Sequence, residues 1–376
     1  MNLVSFNPKQ KTLMGPGPSD VSNRVLQAMA KPTLGHLDPD FVSFMNEVQS
    51  LLRYAFMTQN KVCFPISAPG SAGMEACFVN LIEPGDEVVI CQNGVFGTRM
   101  QSIVERIGAN PILVKDDWGS VVDPQKLEDT LKKQPNAKVV AFVHAETSTG
   151  ALSDAKTLSA IARQNDCLSI VDTVTSLGGC PLKVDEWGLD AVYSGSQKCL
   201  SAPPGLSPVT FSDRAVAKLR ARKTAVPSWF LDFNLILNYW DDKEKTRSYH
   251  HTAPVNALYG LHESLLMLHE EGLENSWLRH KKRHDELKEG LLKLGFEFLV
   301  PENSRLPQLN AVRLPAGVDD GDLRSFLLSQ FQLEVGAGLG PLAGKILRIG
   351  LMGSGASRKN IAILLRALGS YLEHKI

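Results

Sequence analysis

Lys198 closes the run Ala191-Val192-Tyr193-Ser194-Gly195-Ser196-Gln197-Lys198, in which an apolar strand-like segment gives way to small residues and then an amine. Small neighbours let a bulky group approach that amine, and a lysine that is deprotonated part of the time can form a Schiff base with a carbonyl. Asp172 ends a second such run, Leu168-Ser169-Ile170-Val171. A carboxylate there can hold the proton of a pyridinium-like ring nitrogen. After a third run comes Ser67-Ala68-Pro69-Gly70-Ser71-Ala72-Gly73, followed by a helical pattern over 74–81. Small residues at a helix N-terminus expose backbone N–H groups that suit a phosphate. Each feature alone has an ordinary reading: a surface lysine, a helix cap, a turn. Together they point to one anion-bearing carbonyl cofactor.

Ligands of an open parallel sheet collect at the carboxyl ends of its strands, so these residues share one edge if the sheet is parallel. Short β-rich runs near 62–64, 87–91, 111–115, 139–144, 168–172, 191–194 and 208–212 alternate with amphipathic stretches. That alternation predicts an α/β fold of parallel strands joined by helical crossovers. Asp123 and Asp154 are placed to cap two of the helices. From 258 to 294 the pattern becomes one long helix, with Leu261, Leu265, Leu268 and Leu273 along one side. A smaller α+β segment follows, with strands near 296–300, 311–314 and 345–350 and helices over 319–331 and 358–371.

Several motifs then assemble in order along nearly the whole chain: Gly15-Pro16-Gly17-Pro18, Asn93-Gly94, His144-Ala145-Glu146-Thr147-Ser148-Thr149-Gly150, Val171 to Gly179, Ser194 to Lys198 with Ala202-Pro203-Pro204-Gly205, Tyr249-His250-His251-Thr252, and Gly338-Leu339-Gly340-Pro341 leading to Leu347-Arg348-Ile349-Gly350. The set resembles the class V aminotransferases, in particular their alanine–glyoxylate and serine–pyruvate branch. The resemblance implies a pyridoxal 5′-phosphate enzyme of fold type I, with a mostly parallel seven-stranded sheet and a smaller C-terminal α+β domain. It divides the chain into an arm (1–20), a large cofactor-binding domain (21–260), and a linking helix with the small domain (261–376).

By the same resemblance, Lys198 is the Schiff-base lysine and proton carrier, and Asp172 the partner of the pyridine nitrogen. Val174 packs under the ring, and Phe96 stacks over it where many relatives carry Trp or Tyr. Gly70, Ser71 and Gln197 hold the phosphate, although Pro69 lacks an N–H to donate. Thr147 contacts the phenolic oxygen. Tyr249 and Thr252 reach the phosphate of a neighbouring subunit, which implies a homodimer with shared sites. Arg348 clamps the substrate α-carboxylate, for which a bidentate guanidinium is apt, and Gly15 and Pro16 line the same pocket.

The activity implied is a ping-pong transamination, alanine with glyoxylate first, serine with pyruvate or glyoxylate next, and 3-hydroxykynurenine as a further donor. Cysteine desulfuration needs a nucleophilic thiol beyond the lysine, and no cysteine follows Cys199. A regulator carrying a DNA-binding domain has no room in 376 residues. The adjacent His250 and His251 lack further ligands at metal spacing, and His280 and His284 sit in a Lys/Arg-rich helical run that reads as a solvated face. The Gly336–Pro341 stretch leaves no room for the helix of a dinucleotide loop and reads as a turn beside the substrate site.

Composition fits a globular enzyme. Forty basic side chains balance forty acidic ones, so no global field attracts nucleic acid or an anionic membrane. No apolar run approaches the roughly 18 residues of a membrane span, and the N-terminal segment lacks a signal-peptide layout. Six cysteines without a CxxC pair read as reduced core thiols. Cytoplasm is the expected compartment.

Overall fold

The computed structural model describes residues 4–240 and 247–375. Seven strands form the main sheet: β1 (Val62–Ile66), β2 (Glu87–Gln92), β3 (Asn110–Lys115), β4 (Ala137–Val143), β5 (Leu168–Asp172), β6 (Ala191–Tyr193) and β7 (Ser207–Phe211). Their spatial order is β1-β7-β6-β5-β4-β2-β3. Helices pack around it, among them α1 (Pro39–Phe56), α2 (Gly70–Leu81) and α3 (Val95–Ile107). Strands β5 and β6 are buried throughout, as strands of a sheet covered on both faces must be. The expected caps form: Asp123 accepts the Gln125 N–H at 2.8 Å and Asp154 the Thr157 N–H at 3.1 Å, contacts worth about 1 kcal/mol each.

One strand departs from the parallel reading. β7 runs antiparallel to both β6 and β1. A parallel return needs a crossover, usually a helix, and the 194–206 connection contains none. Apolar alternation reports burial and leaves strand direction open.

The long helix expected over 258–294 is two helices, α4 (Val255–Glu271) and α5 (Leu273–Lys293). Gly272, at φ 84° and ψ 139°, separates them in a conformation that only glycine adopts easily. A second sheet, β8 (Glu297–Phe298), β9 (Leu309–Arg313), β10 (Gly336–Ala337) and β11 (Ile346–Gly350), is antiparallel in the order β8-β9-β11-β10. Helices α6 (Asp320–Phe331) and α7 (Arg358–Lys375) accompany it.

Two main cores result. One runs from Phe41 to Leu273 around the seven-stranded sheet. The other joins Met14 to side chains between Leu287 and Tyr371. Met14 reaches the second core because Thr12–Leu13 pairs in parallel with Leu333–Glu334, and the Met14 carbonyl accepts the Gly350 N–H at 2.7 Å. Helix α5 contributes to both, with Leu273 in one and Leu287 and Leu291 in the other.

His280 and His284 are not on a solvated face. Both are buried, because Ser276, His280, His284, Leu287 and Leu291 form the inward stripe of α5 at helical spacing. His280 bonds the Ser276 carbonyl through Nδ1 at 2.7 Å and accepts the Gly353 N–H on Nε2 at 2.9 Å. Burial, helped by Arg279, lowers its pKa to about 4. An unfolded imidazole titrates near 6.5, so the unfolded chain takes up the proton first as pH falls. The fold should therefore lose roughly 3 kcal/mol through this group between pH 7 and 4. Comparing denaturant midpoints of the protein and of His280→Gln across that window isolates the contribution. Parallel curves would show that His280 does not titrate as described.

Candidate active site

Asp172 and Tyr193 are register partners at the ends of the parallel strands β5 and β6, so their side chains leave the sheet on one face. The Tyr193 hydroxyl donates to Asp172 Oδ2 at 2.8 Å, and the Val174 N–H donates to Oδ1 at 2.8 Å. Burial raises the Asp172 carboxyl to about 6, while these two donors, Lys198 and Arg99 oppose the rise. At neutral pH it is chiefly an anion facing the cavity described below.

Beyond β6 the chain is fastened before it reaches the lysine. Ser194 N–H donates to the Pro208 carbonyl at 2.8 Å, Ser196 N–H to Leu206 at 3.0 Å, and Ser196 Oγ to Pro203 at 2.7 Å. From the other side Ser19 donates its N–H to the Gln197 carbonyl at 2.9 Å and its hydroxyl to the Lys198 carbonyl at 2.7 Å. The Lys198 amine donates to the Pro16 carbonyl. A β-carbon at Gly17, whose φ is 106°, would lie 2.6 Å from that amine, so the motif admits only glycine there. Burial first, and the Arg348 charge second, lower the lysine to about 8, against the pull of Asp172. The amine is thus neutral for a useful fraction of the time near pH 7.

Between these groups lies a cavity of about 210 Å³. Of the residues expected from sequence, Gly70, Ser71 and Gln197, the flanking Phe96 and Val174, and Asp172 with Lys198 all line it. Pro69 is the N-cap of α2, outside the first-turn amides, so its missing donor leaves those of Gly70 and Ser71 in place. Thr147 is buried but not in the wall; its carbonyl accepts Arg348 Nη1 at 3.2 Å. Arg348 also donates through Nε to the Ala337 carbonyl at 2.6 Å. Its cross-strand partner is Gly336, where a β-carbon would overlap the Pro16 ring. The Gly336–Pro341 stretch, expected as a turn, begins as edge strand β10 and turns only from Gly340. Arg348, Gly15 and Pro16 adjoin the Lys198 amine's side of the site but are not in the wall of the cavity.

Tyr249 and Thr252 are exposed and outside the cavity wall. Their segment is nonetheless anchored near the turn that leads into α2, since His251 Nε2 lies 2.7 Å from Ser67 Oγ.

Met74, Arg99, Tyr193 and Glu146 were not singled out from sequence. The first three line the cavity. Glu146 is fully buried; its Oε1 accepts the Ser148 N–H at 2.9 Å and hydroxyl at 2.6 Å, and burial raises it to about 7. Ser148 Oγ also accepts the Val95 N–H at 3.1 Å. This pair serves the start of α3, where Gly94 offers no capping side chain. Helical spacing from Phe96 to Arg99 was the available signal for the arginine; Glu146 gave none.

Residues 15–352 match the family model for aminotransferase class V. The chain belongs to the class V aminotransferases. It is 40% identical to the alanine–glyoxylate aminotransferase of Oryctolagus cuniculus, covering 97% of this chain and 93% of that protein. It is 37% identical to the (S)-ureidoglycine–glyoxylate transaminase of Bacillus subtilis, covering 96% and 90%. A crystal structure of alanine–glyoxylate aminotransferase from Nostoc sp. superposes with a TM-score of 0.96 at 43% identity, covering 99% of this chain and 98% of that one.

This aminotransferase therefore uses pyridoxal 5′-phosphate, and its cavity fits the group. An anionic carboxyl, an amine lowered by burial to about 8 and a helix N-terminus converge there, with Gln197 in the wall beside them. Capture of the cofactor by the apoenzyme should accelerate with pH through a midpoint near 8, as Lys198 sheds its proton. The visible absorbance of the bound cofactor should be lost in Lys198→Ala. A pH-independent capture rate would contradict the assigned state of the amine.

Proposed function

We propose that the enzyme moves an amino group from a small amino acid, alanine ahead of serine, to a small 2-oxo acid, glyoxylate ahead of pyruvate. One observation supports a small substrate: Pro16 has its carbonyl on the Lys198 amine and its ring so close to Gly336, the strand partner of Arg348, that a β-carbon there would overlap it. Glyoxylate is the acceptor in the names of all three relatives described above, so the acceptor has firmer support than the donor. The Bacillus subtilis relative makes (S)-ureidoglycine a second candidate donor.

Bound pyridoxal phosphate supplies the electron sink that makes the substrate Cα–H acidic. In this reading Lys198 holds the cofactor, then takes the proton from Cα and returns it at C4′. Asp172 keeps the pyridine nitrogen protonated. Val174 and Phe96 enclose the ring, Gly70, Ser71 and Gln197 hold the phosphate, and Thr147 addresses the phenolic oxygen. Arg348 takes the substrate carboxylate beside Gly15 and Pro16. Its Nη2 makes no hydrogen bond among the described residues.

The exposed Tyr249 and Thr252 support a homodimer in which each subunit completes the other's phosphate site. The six cysteines are all free and buried, in keeping with a reducing cytoplasm. No helix among the described residues is long and apolar enough to cross a membrane.

Following cofactor absorbance with single amino acids, then single oxo acids, ranks alanine, serine, (S)-ureidoglycine and 3-hydroxykynurenine; negligible turnover with alanine and glyoxylate would refute the primary assignment. In Arg348→Ala the KM of every α-carboxylate substrate should rise about 10- to 100-fold, the worth of roughly 1.5–3 kcal/mol of charged hydrogen bonding, with the cofactor spectrum intact. An unchanged KM would place the carboxylate elsewhere. Mixed Lys198→Ala and Tyr249→Ala subunits should contain one unmodified site per heterodimer and regain activity; no recovery on confirmed subunit exchange would argue against sharing.

A further inference from the structure

We propose that Arg99 is a phosphate-binding residue of the cofactor site, acting with Ser71 as the permanent positive charge opposite the phosphate. The proposal rests on the reading that the phosphate lies at Gly70 and Ser71.

Phe96 and Arg99 occupy the first turns of α3 at a spacing of three, so they present to one side of the helix, and both line the cavity. The guanidinium carbon sits 5.0 Å from the centroid of the Phe96 ring, and Nη1 donates to Ser71 Oγ at 2.9 Å. Those two contacts hold the guanidinium at the cavity wall without consuming it. Among the described residues no carboxylate pairs with Arg99 and its remaining N–H groups make no hydrogen bond. Because Ser71 Oγ accepts from Arg99, the hydroxyl proton of Ser71 is free to donate to an anion at the N-terminus of α2.

Charge balance gives the arrangement its purpose. Asp172 is an anion in the same cavity, Gly70, Ser71 and Gln197 are neutral, and Lys198 is held toward neutrality by its burial. A phosphate carrying close to two negative charges would enter that setting with helix-terminal partial charge and a lysine whose charge already answers Asp172 to offset it. Arg99 stands at the cavity wall and is exposed, so its guanidinium fork would be open to a phosphate held at the N-terminus of α2. Phe96 accordingly has two duties: its ring flanks the cavity and its other contact seats the arginine.

The test compares pyridoxal phosphate with pyridoxal, which lacks the phosphate, in binding to the apoenzyme and its Arg99→Gln, Arg99→Lys and Ser71→Ala variants. Dissociation constants come from absorbance or fluorescence titration, so no turnover is needed, and thermal melting of each apoprotein verifies folding. For Arg99→Gln, the affinity for pyridoxal phosphate should fall about 10- to 100-fold with pyridoxal affinity unchanged, the loss expected for charge-assisted hydrogen bonds. Arg99→Lys should lie between, since it keeps the charge and loses the fork. Equal loss of both ligands in Arg99→Gln would overturn the proposal and reduce Arg99 to a support for Phe96. If Ser71→Ala loses phosphate discrimination while Arg99→Gln keeps it, the phosphate reading stands and the role of Arg99 falls. If neither variant changes the ratio of the two affinities, the phosphate lies elsewhere and both fall.

Discussion

Removing an amine and a carboxyl from water in the same small space sets the terms for the rest of this molecule. Desolvation drives each toward neutrality, Asp172 up and Lys198 down, while their mutual attraction pulls the other way. A balance in which the carboxyl is mostly charged and the amine partly neutral requires specific donors at fixed positions. The Val174 amide and Tyr193 hydroxyl serve the carboxyl, and the Pro16 carbonyl serves the amine. These partners come from adjacent strand ends and from the N-terminal segment, so the parallel register of β5 and β6 and the path of the first twenty residues are both conditions of the chemistry.

Arg348 shows how the second core takes part. Its charge is the next influence after burial in lowering the Lys198 amine, although it is carried by a different sheet. The guanidinium is oriented by two carbonyls, those of Thr147 from the large body and Ala337 from β10. A carboxylate arriving there would lessen the repulsion felt by the amine and favour its protonated form. If Arg348 takes the substrate carboxylate as proposed, substrate binding and the acid–base state of the lysine are coupled through one side chain.

Much of this was legible in the sequence because it follows from short-range rules. Strand-end Lys198 and Asp172, the small-residue turn at Gly70, and the caps Asp123 and Asp154 need only neighbours in the chain to be recognised. What was missed depended on distant partners. The antiparallel course of β7 is fixed by a connection with no helix, and its composition matches that of its neighbours. His280 and His284 lie among lysines and arginines, and only the later Leu287 and Leu291 reveal which side of α5 turns inward. Glu146 lies in a recognised motif, yet its task concerns the start of α3, some fifty positions earlier. Gly272 ended a helix whose leucine pattern continued across it.

The first described residues are exposed through Lys11, and then, within three positions, Met14 is wholly buried. From there the chain is a strand edge of the second core, a support for the amine through Pro16 and a brace for the lysine loop through Ser19. For anyone engineering this protein, the boundary is sharp. Changes between residues 4 and 11 would leave the packing within this chain untouched, whereas trimming beyond Thr12 would open a core and unsettle the Lys198 amine in a single cut.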